Sequence, residues 1–145
     1  MAWLQQVAGS ALVAAALADI YLTVLYARSG AGFLSPRLSK ATWLLFKAIG
    51  RIAGRFRPTV LSFAGSAILV LTAVVWLALL TAGFGLIVWP ALGSGIQASS
   101  GSTPTDYAAA LYYSGYSLTT LGTGDLVPTS STYRLIMIVQ AAIAF

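Results

Sequence analysis

The residues whose types and spacing could do chemistry are Thr119-Thr120-Leu121-Gly122-Thr123-Gly124-Asp125. Two glycines alternate with side-chain residues, so the backbone can take conformations that L-residues resist and point successive carbonyl oxygens the same way. Such a strand can line a narrow axis with oxygen. A dehydrated monovalent cation needs a ring of weak oxygen ligands in place of its water, and four copies of the strand supply several stacked rings. A phosphate loop would be the competing reading of Gly122-Thr123-Gly124, but there is no third glycine and no following lysine. An ordinary helix end at Thr119 and Thr120, followed by a turn at Asp125 and Pro128, is the plain structural alternative.

Other chemistry is poorly supplied. Cysteine, histidine and glutamate are absent, and Asp19, Asp106 and Asp125 are the only acids. Nucleophilic triads, paired-carboxylate catalysis and thiolate or imidazole metal sites lack their parts, so no enzyme and no resident cofactor are expected.

The elements that must position the glycine-rich strand are apolar. Fifty-nine per cent of the 145 residues are hydrophobic and 8% are charged, a balance that one water-soluble core could not hide. Residues 59–89 and 3–27 each exceed the roughly 20 residues needed to cross about 30 Å of hydrocarbon. Trp3 at one end of the first run, with Tyr21 and Tyr26 toward the other, suits two interfaces. Its Ala16-Leu17-Ala18 resembles a signal-peptidase site, yet residues 1–27 carry no cation, so a retained helix is expected. Ser10, Ala14 and Ala18 at four-residue spacing predict a small-residue face for a neighbouring helix. Asp19 lies inside this run, where a carboxylate is costly unless paired, protonated or near the interface. It is expected to face protein, either bonded to an adjacent helix or snorkelling inward.

Of the net charge of +5, seven cations fall between Arg28 and Arg57 with no acid among them. That concentration argues against nucleic acid and places residues 28–58 in the cytoplasm, with the N-terminus outside. Lys40, Lys47, Arg51 and Arg55 share one side of a helical period, while Leu44, Leu45, Ile49, Ile52 and Phe56 turn the other way. This predicts an amphipathic helix in the inner headgroup layer, its cations against lipid of anionic character; a solvated linker that only sets topology is the alternative.

Beyond the second span, residues 90–103 read as a flexible outer loop. Thr103 is expected to cap a helix with Pro104 at its first position and Asp106 near its positive end. That helix, 104–119, is too short to cross and would be re-entrant, its negative end aimed at a cation in mid-membrane. Residues 132–145 begin a further apolar helix that stops short of the far interface, as if truncated.

Residues 110–128, Ala-Leu-Tyr-Tyr-Ser-Gly-Tyr-Ser-Leu-Thr-Thr-Leu-Gly-Thr-Gly-Asp-Leu-Val-Pro, resemble the pore helix, filter and post-filter turn of potassium channels, whose filter reads Thr-Val-Gly-Tyr-Gly. The likeness covers residues 60–145 in layout. It implies carbonyl ligands for K+ from Thr120, Leu121, Gly122 and Thr123, with Gly124 completing the filter and the Thr120 hydroxyl forming the innermost site. It implies a homotetramer, since one chain carries one filter strand. Tyr112, Tyr113, Tyr116 and Asp125 stand where the family supports its filter. Thr123 departs from the tyrosine or phenylalanine usual there, Tyr112 and Tyr113 from a tryptophan pair, and Tyr116 from a position that is acidic in some members. Near Ala144 the family often has a hinge glycine.

The expected fold is an all-α membrane protein of the cell membrane: an N-terminal transmembrane helix (1–27), a basic interfacial segment (28–58) and a pore domain (59–145). The pore domain comprises an outer helix (59–89), an outer loop (90–103), a re-entrant pore helix (104–119), a filter (120–125) and a truncated inner helix (132–145). The expected function is passive K+ transport. A non-selective monovalent cation channel and a non-conducting scaffold or channel-like subunit are the alternatives. No span carries a periodic arginine row, so voltage sensing is not expected.

Overall fold

The computed structural model describes residues 2–26 and 32–144. Met1, Phe145 and residues 27–31 lie outside the described residues, among them Arg28, the expected 27/28 boundary and the last residue of the expected inner helix. The chain is mostly helical. Helix α1 (Ala2–Ile20) runs into a π-helical turn (Tyr21–Leu25), α2 spans Ser35–Ile52, and α3 spans Arg57–Val88. Strand β1 (Ile96–Ala98), α4 (Tyr107–Leu118), β2 (Leu126–Pro128) and α5 (Ser131–Ala144) complete the order.

Two helices are long and apolar enough to cross a membrane, over Ala2–Leu25 and Gly54–Ala91. Their outer faces are apolar where a soluble fold would be polar: Leu69 is 73% exposed, Phe63 62% and Trp3 64%. Pro58 sits in the first turn of α3, where its missing N–H costs nothing. At the other end Pro90 disfavours α-helix in Trp89, and the chain tightens into a 3-10 turn, Trp89–Ala91.

The chain divides into two compact units, Ala15–Leu77 and Met1–Ala14 with Ala78–Phe145. In the first, α2 has three sides. Ser35, Thr42 and Gly50 are buried, Lys40, Lys47 and Arg51 share a second side, and Leu45 and Ile49 stay about half exposed on the remaining surface. Leu44, one turn from both Lys40 and Lys47, lies with the cations and not opposite them as the sequence reading expects. Arg55 does not join the basic side. Ala53 caps α2 by donating to the Ile49 carbonyl, Gly54 turns left-handed at φ 52°, and Arg55 falls in the 3-10 turn Gly54–Phe56.

In the second unit, the small face of α1 is not the one that sequence spacing picks. Ser10 and Ala14 are exposed, as is Ala18 further along the helix, whereas Gly9 and Val13 turn inward. The reason is the closeness of α3: a Cβ added to Gly9 would lie 2.5 Å from the Gly83 carbonyl oxygen, and one added to Gly83 only 2.8 Å from Val13. Only glycine admits that backbone approach.

The same unit holds the core, built from Val88, Ala91, Leu92 and Ile96 against Ala109, Ala110, Tyr113, Tyr116 and Leu126. The segment expected to be a flexible loop contributes to it. Ile96 is fully buried, and β1 pairs antiparallel with β2 in the register Ile96 to Pro128, Gln97 to Val127 and Ala98 to Leu126. The pairing satisfies backbone groups that a free loop would leave to water. Helix α4 also starts later than expected, at Tyr107 with Asp106 as N-cap. Thr103 is engaged elsewhere: its hydroxyl accepts from the Ala98 amide at 2.9 Å and so belongs to the β1 end.

Candidate functional site

The site is the strand between α4 and β2. Helix α4 ends where Thr119 folds its hydroxyl back onto the Gly115 carbonyl at 2.8 Å, and the Thr119 amide bonds the same oxygen at 2.9 Å. The Leu121 amide still donates to the Tyr116 carbonyl at 3.0 Å, which anchors the strand to the helix end. Beyond it the conformation alternates. Thr120, Gly122 and Gly124 have φ of 56°, 58° and 74°, while Leu121 and Thr123 between them do not enter the left-handed region. For the glycines this is cheap, but for β-branched Thr120 it costs on the order of 1–3 kcal/mol.

No carbonyl from Thr120 to Gly124 accepts a hydrogen bond among the described residues, and all five residues are exposed. A run of unpaired carbonyls needs a polar partner, either water or a cation. The Thr120 hydroxyl donates to the Thr119 carbonyl at 2.7 Å and keeps its lone pairs free to accept.

The four residues expected to support the strand, Tyr112, Tyr113, Tyr116 and Asp125, lie beside it on two levels. At the outer level the Tyr112 hydroxyl donates to Thr123 Oγ1 at 3.2 Å, and Thr123 donates to Asp125 Oδ1 at 2.6 Å. Asp125 also accepts from the Leu126 amide at 3.2 Å. The Thr123 hydroxyl, first among these donors, holds the exposed Asp125 carboxyl below the usual carboxylate range. At the inner level Tyr116 packs edge-on against both Tyr112 and Tyr113, with ring centroids 5.3 Å apart in each pair. Its hydroxyl donates to the Leu126 carbonyl. Tyr113 is fully buried and its hydroxyl has no partner among the described residues, so what it contributes beside the strand is volume.

The end of the strand toward β2 is held by residues that sequence reading did not single out. The Ser99 amide donates to the Asp125 carbonyl at 2.8 Å, Arg134 Nε to the Pro128 carbonyl at 3.1 Å, and the Thr129 amide to the Gly95 carbonyl at 2.9 Å. Gly95 is required there, since a Cβ would lie 2.6 Å from the Tyr133 ring. Trp89 fixes the start of α4, donating to the Thr105 carbonyl at 3.0 Å and packing tilted against Tyr107, with ring centroids 5.0 Å apart. Tyr107 in turn donates to the Ala82 carbonyl at 3.1 Å. The apolar–polar alternation of a three-residue strand is too short a signal to have flagged these contacts.

Lys40, Lys47, Arg51 and Arg55 belong to the other unit and are no part of this site. Asp19 is buried in that unit, its carboxylate accepting from the Leu34 amide at 2.8 Å, the Ser35 hydroxyl at 2.6 Å and Trp76 Nε1 at 2.9 Å. It is bonded to neighbouring helices and does not snorkel.

Long apolar helices together with an exposed strand of carbonyls that have no partner among the described residues define the class as a helical membrane protein. The chain belongs to the ion channel family, whose match covers residues 66–145. It is also similar to an uncharacterized membrane protein, YdjJ, of Bacillus subtilis (strain 168), with 32% identity over 136 residues. That alignment takes in 94% of this chain but spans only 38% of the relative's length. No solved structure matches the chain.

Proposed function

We propose that this chain is the pore-forming subunit of a homotetrameric potassium channel that carries K+ passively through a filter of backbone carbonyls. In this reading α3 is the outer helix and α5 the start of the inner helix. Helix α4, with 12 residues and a rise of about 18 Å, is a re-entrant pore helix. Thr120, Leu121, Gly122 and Thr123 supply the carbonyl rings, Gly124 completes the turn outward, and the Thr120 hydroxyl forms the innermost site. The observation that carries the reading is the alternation of left-handed residues at Thr120, Gly122 and Gly124 in a strand whose carbonyls are unpaired.

The N-terminus lies outside in this orientation, and residues 28–58 face the cytoplasm. The Lys40, Lys47 and Arg51 side of α2 meets anionic headgroups while its aliphatic surface enters the acyl boundary. Arg55 adds charge from the following turn.

The reading is tested by ion flux of the full-length protein in liposomes with potassium or sodium as the permeant ion. Potassium flux well above sodium flux is expected. Equal fluxes would support a non-selective cation pore, which the polar side chain of Thr123 favours because no aromatic ring braces the strand from that position. Absence of both would leave a non-conducting scaffold and overturn the channel reading.

A further inference from the structure

Among the described residues of the unit Ala15–Leu77, Asp19 is the charged group with the most side-chain hydrogen bonds, and none of the strand chemistry uses it. Only 3% of it is exposed. Oδ1 accepts the Leu34 amide at 2.8 Å, and Oδ2 accepts both the Ser35 hydroxyl at 2.6 Å and Trp76 Nε1 at 2.9 Å. These partners come from the start of α2 and from α3, while Asp19 itself comes from α1. The π-helical turn that follows it carries Thr23, whose hydroxyl donates to Ser35 Oγ at 3.0 Å. Every partner observed is a neutral donor.

Helix α2 has no cap of its own. Leu34 occupies its N-cap position and has no side-chain oxygen to offer, and Pro36 follows in the first turn. The carboxylate of Asp19 does what a capping aspartate would do, but from another helix: it accepts an orphan amide at the positive end of the α2 dipole. The same two oxygens reach Trp76 on α3. One side chain therefore caps the basic helix and fastens it to α1 and α3.

We infer that Asp19 is a positioning residue, a latch through which pull on the basic helix by anionic headgroups is passed to α3. The inference rests on the reading of the chain as a pore-forming subunit with α2 in the inner headgroup layer. The basic side of α2 supplies the handle, since cations near an anionic membrane surface are drawn to its headgroups. Trp76 supplies the transmission, because its indole N–H is the α3 donor to Asp19 and α3 continues from it to Val88. Room for rearrangement exists beside the latch, where a cavity of about 250 Å³ is bordered by Thr23, Ser35, Ser39, Thr72 and Trp76.

The test uses the full-length protein in phosphatidylcholine vesicles with a rising fraction of phosphatidylglycerol, comparing wild type with Trp76→Phe, Ser35→Ala and Asp19→Asn. Trp76→Phe and Ser35→Ala each delete one donor and keep most of the packing, so they remain informative if Asp19→Asn fails to fold. Potassium flux is read against phosphatidylglycerol fraction, and the distance between spin labels at the exposed positions Leu44 and Phe63 is read in the same vesicles. A latch predicts that both milder variants broaden the label distance and shift the phosphatidylglycerol dependence of flux several-fold. Label distances and flux curves that coincide with wild type would overturn it. A wild type without flux would sink the pore reading, while the label distances would still decide whether Asp19 holds α2 to α3.

Discussion

Thr123 Oγ1 donates to Asp125 Oδ1 at 2.6 Å while accepting from the Tyr112 hydroxyl at 3.2 Å. The threonine that departs from the potassium channel pattern thus sits in the middle of a polar chain. Where an aromatic ring would brace the strand by bulk, this protein links Tyr112, Thr123 and Asp125 by hydrogen bonds. Replacing Thr123 by valine, which keeps the volume and removes the hydroxyl, should lower the potassium-to-sodium flux ratio several-fold. Tyr112→Phe should act in the same direction and more weakly, because it removes only the longer bond. Flux measured in liposomes with either ion checks both, and an unchanged ratio for Thr123→Val would show that the chain of hydroxyls does not hold the filter.

The same bond sets a pH window. A carboxyl whose value is lowered in the folded state binds fewer protons there than in the unfolded chain, so its contribution is complete at neutral pH. That contribution is lost as pH falls through the lowered value. Flux should therefore be flat from neutral to mildly acidic outer solution and decline only below about pH 4. In Asp125→Asn that acid decline should be missing, since nothing remains to protonate at the position. A decline centred near neutral pH in the wild type would refute the assignment.

Thr120 and the two glycines should respond in opposite ways to substitution. Thr120→Gly removes a β-branched residue from φ 56° and should leave thermal stability unchanged or slightly raised, while altering permeation through loss of the innermost hydroxyl. Gly122→Ala and Gly124→Ala force a Cβ into φ 58° and 74° and should each cost about 1–2 kcal/mol. Among the described residues no atom other than the Thr120 or Gly122 carbonyl oxygen lies near those added carbons, so the cost within the chain is conformational and not a clash. Thermal unfolding in detergent, together with flux, separates the two effects.

How much of this was legible before the structure depends on the range of each interaction. The strand was legible because glycine spacing encodes a local backbone conformation, and the long helices because their apolar runs exceed any soluble requirement. The β1–β2 ribbon was not, since three-residue strands show no usable period and their pairing joins residues about 30 apart. Thr103 was misread as a cap because its competing partner, the Ala98 amide, is visible only once β1 exists. The Asp19–Trp76 bond joins residues 57 apart in sequence, and no local pattern announces it.

Gly9 and Gly83 make a last test of the fold, this time at a helix contact and not at the strand. Sequence spacing points to Ser10 and Ala14 as the contact face of α1, whereas the close approach uses glycine on both helices. Substituting Ser10 or Ala14 by leucine should therefore be tolerated within about 0.5 kcal/mol in a single subunit, as is usual for exposed positions. Gly83→Ala should be costly, because its Cβ would meet Val13 at 2.8 Å and the Gly9 carbonyl oxygen at 3.0 Å, and backbone cannot swing aside as a flexible side chain can. Overpacking of this kind costs about 1–3 kcal/mol. Thermal unfolding of the detergent-solubilised protein should rank Gly83→Ala and Gly9→Ala well below Ser10→Leu; the reverse order would place the α1 contact on the serine and alanine face after all.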